Sequence, residues 1–187
     1  MVVSESGLIR AMKGAYKGVG YKVANKQVGN VEEIMIGAPG WVVLIEKKNM
    51  PRKVLGLIAE HVGEIPAPGE AFQVSKKATQ TEIFGVSMQL LEGMKNDEKE
   101  RRLAKRTTLT LAGYPLWQRE KDLKIVRVPP LREDIMLAHG RDVWMFDSDT
   151  LMVDGKASRV YVDTYYIAEE EDLLKHLSKV AFVTFGK

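Results

Sequence analysis

The chain has 187 residues, 45% of them apolar and 28% charged, a formal net charge of +3 and no cysteine. A chain of this length and composition can bury a core without covalent staples. Disulfides, thiolate catalysis and cysteine-bound zinc or iron–sulfur centres are excluded, and +3 is a weak field for recruiting nucleic acid.

No run reaches the ~20 consecutive apolar residues of a membrane span. Residues 1–7 lack the basic and apolar regions of a secretory signal. The expectation is a cytoplasmic protein without membrane contact.

In chain order, Ser4 or Ser6 can cap a first helix, because a short hydroxyl accepts from the orphan amides of the first turn. Leu8, Ile9, Met12, Tyr16 and Val19 follow at helical spacing, and Gly18 and Gly20 end it. Residues 21–26 alternate as a strand. Strands over 33–36 and 41–45 flank a turn at Gly37-Ala-Pro-Gly40. The second of these is five apolar residues in a row, which predicts burial on both faces. Pro51 opens a helix with Val54, Leu55, Leu57, Ile58 and Val62 as its stripe, and Gly63 stops it. Residues 71–74 read as a strand and 80–94 as a helix, although threonine and valine content also allows a strand at the start of the latter.

Residues 95–106 hold six basic and three acidic side chains, while the flanking stretches nearly cancel. This run reads as a solvated helix or linker with Glu98 at helical pair spacing from Arg101 and Arg102. Strands are predicted over 107–111 and 123–128, with a turn at 113–115 and a short helix over 131–139. Leu131, Ile135, Met136 and Leu137 would face inward on that helix. Strands over 143–146 and 151–153 lead to Asp154-Gly155, a hairpin signal because a two-residue turn needs positive φ. Residues 159–167 read as its return strand. Asp147 and Asp149 fall in a turn between strands. Acids at 169–172 open a last helix, and 181–185 form a last strand.

The expected fold is α+β, a mixed, mainly antiparallel sheet with packed helices, either in two small lobes or as one continuous domain with residues 95–106 on a surface helix; the two-lobe division is the first choice. An N-terminal α/β lobe covers 1–94, a charged helix or linker 95–106, and a C-terminal α+β lobe with the Asp154-Gly155 hairpin 107–187.

The leading functional expectation is a non-catalytic binding or assembly module. Trp144, Tyr161, Tyr165 and Tyr166 are its candidate surface, since aromatic anchors enrich interfaces. Tyr161 and Tyr165 would share one strand face and Tyr166 the other. Self-association through a sheet edge or this face is the expected partnership, and no resident cofactor is implied. Arg101, Arg102, Lys105 and Arg106 are nucleic-acid candidates, although acids are interleaved and stacking partners are missing nearby.

The catalytic alternative rests on Glu46-Lys47-Lys48. It resembles the PD-(D/E)xK nucleases, in which a Glu and a Lys two apart on a buried strand share one face. The resemblance implies Mg²⁺ or Mn²⁺ held by Glu46 and an upstream acid, Glu33, with Lys48 activating water. Lys47 stands where an apolar residue is usual, and the chain offers Glu32 or Glu33 where Asp is usual. Residues 144–151 resemble a haloacid-dehalogenase nucleophile loop but lack its glycine. His61, His139 and His176 show no ligand-like spacing; His176 follows Asp172 by four, as a solvated helix pair would. Residues 55–70 resemble the helix-to-strand junction of the small C-terminal domain in magnesium/cobalt-efflux and haemolysin-C-type proteins. That likeness covers under a tenth of the chain and implies no site residue here.

Overall fold

A computed structural model describes residues 1–77, 79–81 and 102–167. Helix α1 (Glu5–Lys17) begins where expected: the Ser4 hydroxyl accepts from the Gly7 amide at 3.2 Å. It buries Leu8, Ala11 and Met12 and closes at Gly18. Strands β1 (Tyr21–Val28), β2 (Val31–Ala38) and β3 (Trp41–Glu46) then form an antiparallel meander. Along β3, Trp41, Val43 and Ile45 join one apolar cluster while Val42 and Leu44 join another. The strand lies between β2 and β11, so the five-residue apolar run is a sheet centre buried on both faces.

The backbone leaves extended conformation at a 3₁₀ turn over Lys47–Asn49. Helix α2 (Arg52–Val62) follows, with Pro51 as its cap residue rather than its first helical one, and Gly63 ends it in the left-handed region at φ 91°. Strands β4 (Ala71–Val74) and β5 (Thr79–Thr81) extend the sheet beyond β1. The expected helix over 80–94 starts inside β5 and otherwise lies outside the described residues, as do 95–101 and the elements expected after 167.

Residues 102–106 correct the expectation of a helix or linker. They are the first half of β6 (Arg102–Leu111), which pairs with β9 on one side and β7 on the other. Two ladders outweigh the ion pairs that favoured a solvated helix. Strands β7 (Tyr114–Arg119) and β8 (Ile125–Arg127) follow. Helix α3 (Pro130–Glu133) is a single turn, shorter than expected, and Leu131 and Leu137 are exposed while Ile135 and Met136 are buried.

Strands β9 (Val143–Met145), β10 (Leu151–Asp154) and β11 (Ser158–Val162) are again antiparallel. The predicted hairpin forms, but Asp154 pairs with Arg159. The loop is therefore wider than a two-residue turn. Residues 159–167 are two strands rather than one. After Val162 the chain bends, and β12 (Tyr165–Tyr166) pairs with β8. The bend is fixed by tertiary bonds. The Asp163 amide donates to the Gly40 carbonyl at 2.8 Å, and Arg132 Nη1 donates to the Asp163 carbonyl at 3.0 Å.

The sheet order is β12-β8-β7-β6-β9-β10-β11-β3-β2-β1-β4-β5. Six strand spacings separate β11 from β12, ~29 Å if the sheet were flat. Only two residues, Asp163 and Thr164, connect them, a reach of ~11 Å. This half of the sheet must therefore curl until its two ends nearly meet. Trp117, Val126, Val143, Met145, Leu151, Val153 and Val160 lie on the inner side and merge with α1 and α2 residues in one cluster. Outer-face residues include Leu116 and Ile125, and Phe146, Met152 and Tyr161. Because β3 of the first half pairs with β11 of the second, the sheet does not divide at residues 95–106. No helix among the described residues is long and apolar enough to cross a membrane.

Candidate functional site

The nuclease candidates come partly together. Glu33 and Glu46 are direct partners across β2 and β3 and so share a face. Lys48 does not continue that face, because the 3₁₀ turn takes it off the strand. Its side chain is 74% exposed and its ammonium pairs with the Glu46 carboxylate at 3.2 Å. Asn49 also donates to Glu46, at 3.4 Å. Glu32 is engaged too: Asn25 Nδ2 and Lys47 Nζ donate to it at 3.0 and 3.2 Å, and these bonds hold its carboxyl below the usual range. No group of three or more acids or histidines able to hold a metal occurs among the described residues.

The basic run is split by the strand period. On β6, Arg102 and Arg106 point to one face and Lys105 to the other. Lys105 pairs with Glu120 at 2.7 Å, and Arg106 Nε donates to both oxygens of Glu133 at 3.0 and 3.1 Å. Arg101 lies outside the described residues. This pattern makes no continuous cationic stripe on β6.

The aromatic candidates separate as well. Tyr161 is fully buried and packs with Phe146, and Trp144 is half-buried against the same cluster, so neither is the open surface expected of it. Tyr165 and Tyr166 are 44% and 50% exposed.

What surrounds Tyr165 is the most pronounced surface feature. On the outer face of the curled wall, the Arg127 guanidinium lies 5.5 Å from the Tyr114 ring centroid and 5.4 Å from that of Tyr165. Arg132 lies 5.4 Å from Tyr165 on α3, and the two tyrosine rings stack at 6.5 Å and 25°. No carboxylate among the described residues pairs with Arg127. Among the described residues its charge meets ring faces alone, which leaves it available to an anion. On the adjacent rim, Lys124 Nζ lies 5.0 Å from the Tyr166 centroid and pairs with Asp149.

The register creates this face. Tyr165 is opposite Arg127 on β8, and Arg127 is opposite Leu116 on β7, two residues beyond Tyr114. The polar positions of residues 123–128, Lys124 and Arg127, were the sequence signal available. Without the strand order nothing joined them to Tyr114 or Tyr165.

Asp147 and Asp149 do lie in a turn, with Asp149 at φ 69°. Their carboxylates pair with Arg119 and Lys124. Arg119 is nearly buried, and the hydrogen bonds it donates to Asp122 raise its pKa while lowering that of Asp122.

His61 stacks on Tyr16 with ring centroids 3.7 Å apart, and its Nδ1 is 2.8 Å from the hydroxyl of Tyr21. Burial pushes the His61 pKa down and that of Tyr21 up. His176 lies outside the described residues. His139 lines a cleft of about 370 Å³ where β6 and β7 meet α3, together with Ser4, Arg106, Trp117, Glu133 and Leu137. There the Glu133 carboxylate takes the Arg106 Nε–H and, at 2.7 Å, the Trp117 indole N–H.

No family model, no curated protein and no solved structure matches this chain.

Proposed function

We propose that the protein is a non-catalytic binding module that takes a single-stranded nucleic acid on the outer face formed by Tyr114, Arg127, Arg132 and Tyr165, with Lys124 and Tyr166 on the adjacent rim. The observation that carries this reading is the Tyr114–Arg127–Tyr165–Arg132 stack. Two guanidinium groups are interleaved with two tyrosine rings on an exposed strand edge. Unpaired bases stack on tyrosine or arginine planes irrespective of sequence, and adjacent phosphates take the guanidinium donors. A weak net charge does not oppose this, because local clustering rather than the total sets the field at a groove.

Two observations favour a foreign ligand over a second copy of the chain. Both faces of the central strands are already buried within one chain. The edge strand β12 is only two residues long, too short to template a ladder.

The test is fluorescence anisotropy with a labelled single-stranded oligonucleotide, DNA and RNA in separate arms, over a salt series. Binding should weaken linearly in log–log form with salt. The double variant Arg127→Ala/Arg132→Ala should lose at least about tenfold in affinity. Tyr165→Ala should lose a stacking contribution of ~1–3 kcal/mol, while Tyr165→Phe retains it. Absence of binding at low salt, or equal binding by the arginine double variant, refutes the assignment. A dimer abolished by Tyr165→Ala, with no oligonucleotide binding, transfers the face to self-association.

A further inference from the structure

The cleft bounded by β6, β7 and α3 is built differently from the tyrosine face and shares no residue with it. Its walls are the Trp117 ring, Met136, Leu137 and Ala138, with Ser4, Arg106, Glu133, Asp134 and His139 supplying the polar groups. At about 370 Å³ it falls within the range of small-molecule sites, which are mostly apolar with a few fixed polar groups.

The polar groups are largely committed. Asp134 pairs with Arg10 at 3.1 Å, and the Ser4 hydroxyl caps α1. The Glu133 carboxylate takes the Arg106 Nε–H on both oxygens and the Trp117 indole N–H on one. Arg106 differs from these. Only its Nε is used by Glu133, and its terminal Nη1/Nη2 fork makes no hydrogen bond to any described residue.

A guanidinium gripped from the Nε side has lost its freedom to turn. Its remaining donors are thereby pre-set for a planar, two-oxygen acceptor. Leu137 stays 41% exposed on the wall, apolar surface that a ligand body would cover. His139 is exposed at the rim and adds no negative charge.

We infer that this cleft binds a small organic carboxylate. Its two oxygens lie on the Arg106 fork, and its apolar or aromatic body lies against Leu137 and the exposed edge of Met136, above the buried Trp117 ring. Glu133 is a positioning residue, fixing the guanidinium without touching the ligand. An organic cation is disfavoured, because the carboxylates that line the cleft are already paired with Arg106 and Arg10. An inorganic anion would leave the apolar wall uncovered.

Benzoate is the probe, with benzylamine, benzyl alcohol and acetate as controls on the full chain. The readouts are thermal shift against each variant's own baseline and tryptophan fluorescence titration. Benzoate should raise the melting temperature and perturb the fluorescence. Benzylamine and benzyl alcohol should not, and acetate should bind at least about tenfold more weakly. Arg106→Lys keeps a charge and most of the stem but loses the fork, so benzoate affinity should fall at least about tenfold. If that variant fails to fold, Leu137→Glu at the exposed wall gives the same loss by repulsion. Benzylamine binding as tightly as benzoate overturns the inference. So does a benzoate response unchanged in Arg106→Lys and Leu137→Glu, or no benzoate response in the wild type.

Discussion

Two glycines in α1 should respond in opposite directions to the same substitution. Gly7 lies where the helix crosses the segment after α3. A Cβ placed there overlaps the Asp134 carbonyl oxygen and lies 2.6 Å from its carbon and 3.1 Å from the Ile135 amide nitrogen. Carbon–carbon contacts are comfortable at ~3.5 Å or more, so the two backbones must part by about 1 Å. Neither side is a flexible side-chain end that can swing away. The same segment is tied to the N-terminus by Ser4 N–H to the Ile135 carbonyl at 2.8 Å and Leu137 N–H to the Val2 carbonyl at 2.9 Å. These bonds must stretch when α1 retreats. Gly7→Ala should therefore cost about 2–3 kcal/mol, the upper part of the overpacking range, despite the better helix propensity of alanine. Gly14, on the same helix, has nothing within 4 Å of an added Cβ. Gly14→Ala should gain about 0.5–1 kcal/mol from propensity alone. For a chain of this size that is a melting temperature lower by about 4–12 °C for the first and higher by about 1–4 °C for the second. The assay is thermal or urea unfolding followed by circular dichroism. If Gly7→Ala stabilises as Gly14→Ala does, the contact between α1 and the 134–135 backbone is wrong.

Four further outcomes are expected. The folded pKa of His61 lies below its ordinary value, so the unfolded chain binds the extra proton first. The stabilising effect of His61 relative to His61→Gln should be full above pH ~6.5 and shrink as the pH falls below it; a constant difference from pH 7.5 to 4.5 refutes this. For Tyr21, whose folded pKa is raised, the advantage over Tyr21→Phe should hold below pH ~10 and fall above it. Asn25 is fully buried and its Nδ2 donates to the Pro66 carbonyl at 2.9 Å and to Glu32 at 3.0 Å. Asn25→Ala should cost ~1–3 kcal/mol in urea unfolding, and Asn25→Asp more, since it turns an acceptor toward two acceptors. Glu133→Ala, which strips the acceptor from the Trp117 indole and the Arg106 guanidinium, should cost ~1–3 kcal/mol, and Glu133→Gln less; equal losses would argue against the indole bond.

The local elements were largely readable. Ser4, the helical spacing after it and Gly18 defined α1, and the apolar run 41–45 announced a strand buried on both sides. Other features depended on partners distant in sequence. Asp163 and Thr164 sit within a run rich in valine and tyrosine that reads as one strand. The bend between them is imposed by the Gly40 carbonyl and Arg132, neither of which local propensity can reveal. β11 keeps Tyr161 in the core, and the bend then carries Tyr165 to the far edge of the sheet. Lys48 departed from its expected face because the chain turns immediately after β3. The charges of 102–106 concealed a strand, since each side chain found its acid or its face only through β7, β9 and α3. The proposed arginine–tyrosine surface draws on residues 114, 127, 132 and 165. Only the strand order brings them together.

The β3–β11 ladder also bears on how the protein is made. Trp41 must wait for Val162, and the Val2 amide for the hydroxyl of Ser158 to which it donates at 2.9 Å. During synthesis the first half therefore emerges with a long apolar strand edge that its own neighbours cannot cover. Pairings this distant in sequence make folding slow, and an uncovered edge invites other chains. A nascent or prematurely terminated product ending before residue 158 should depend on chaperones or be degraded, whereas a chain that reaches through β11 closes the gap from its own sequence.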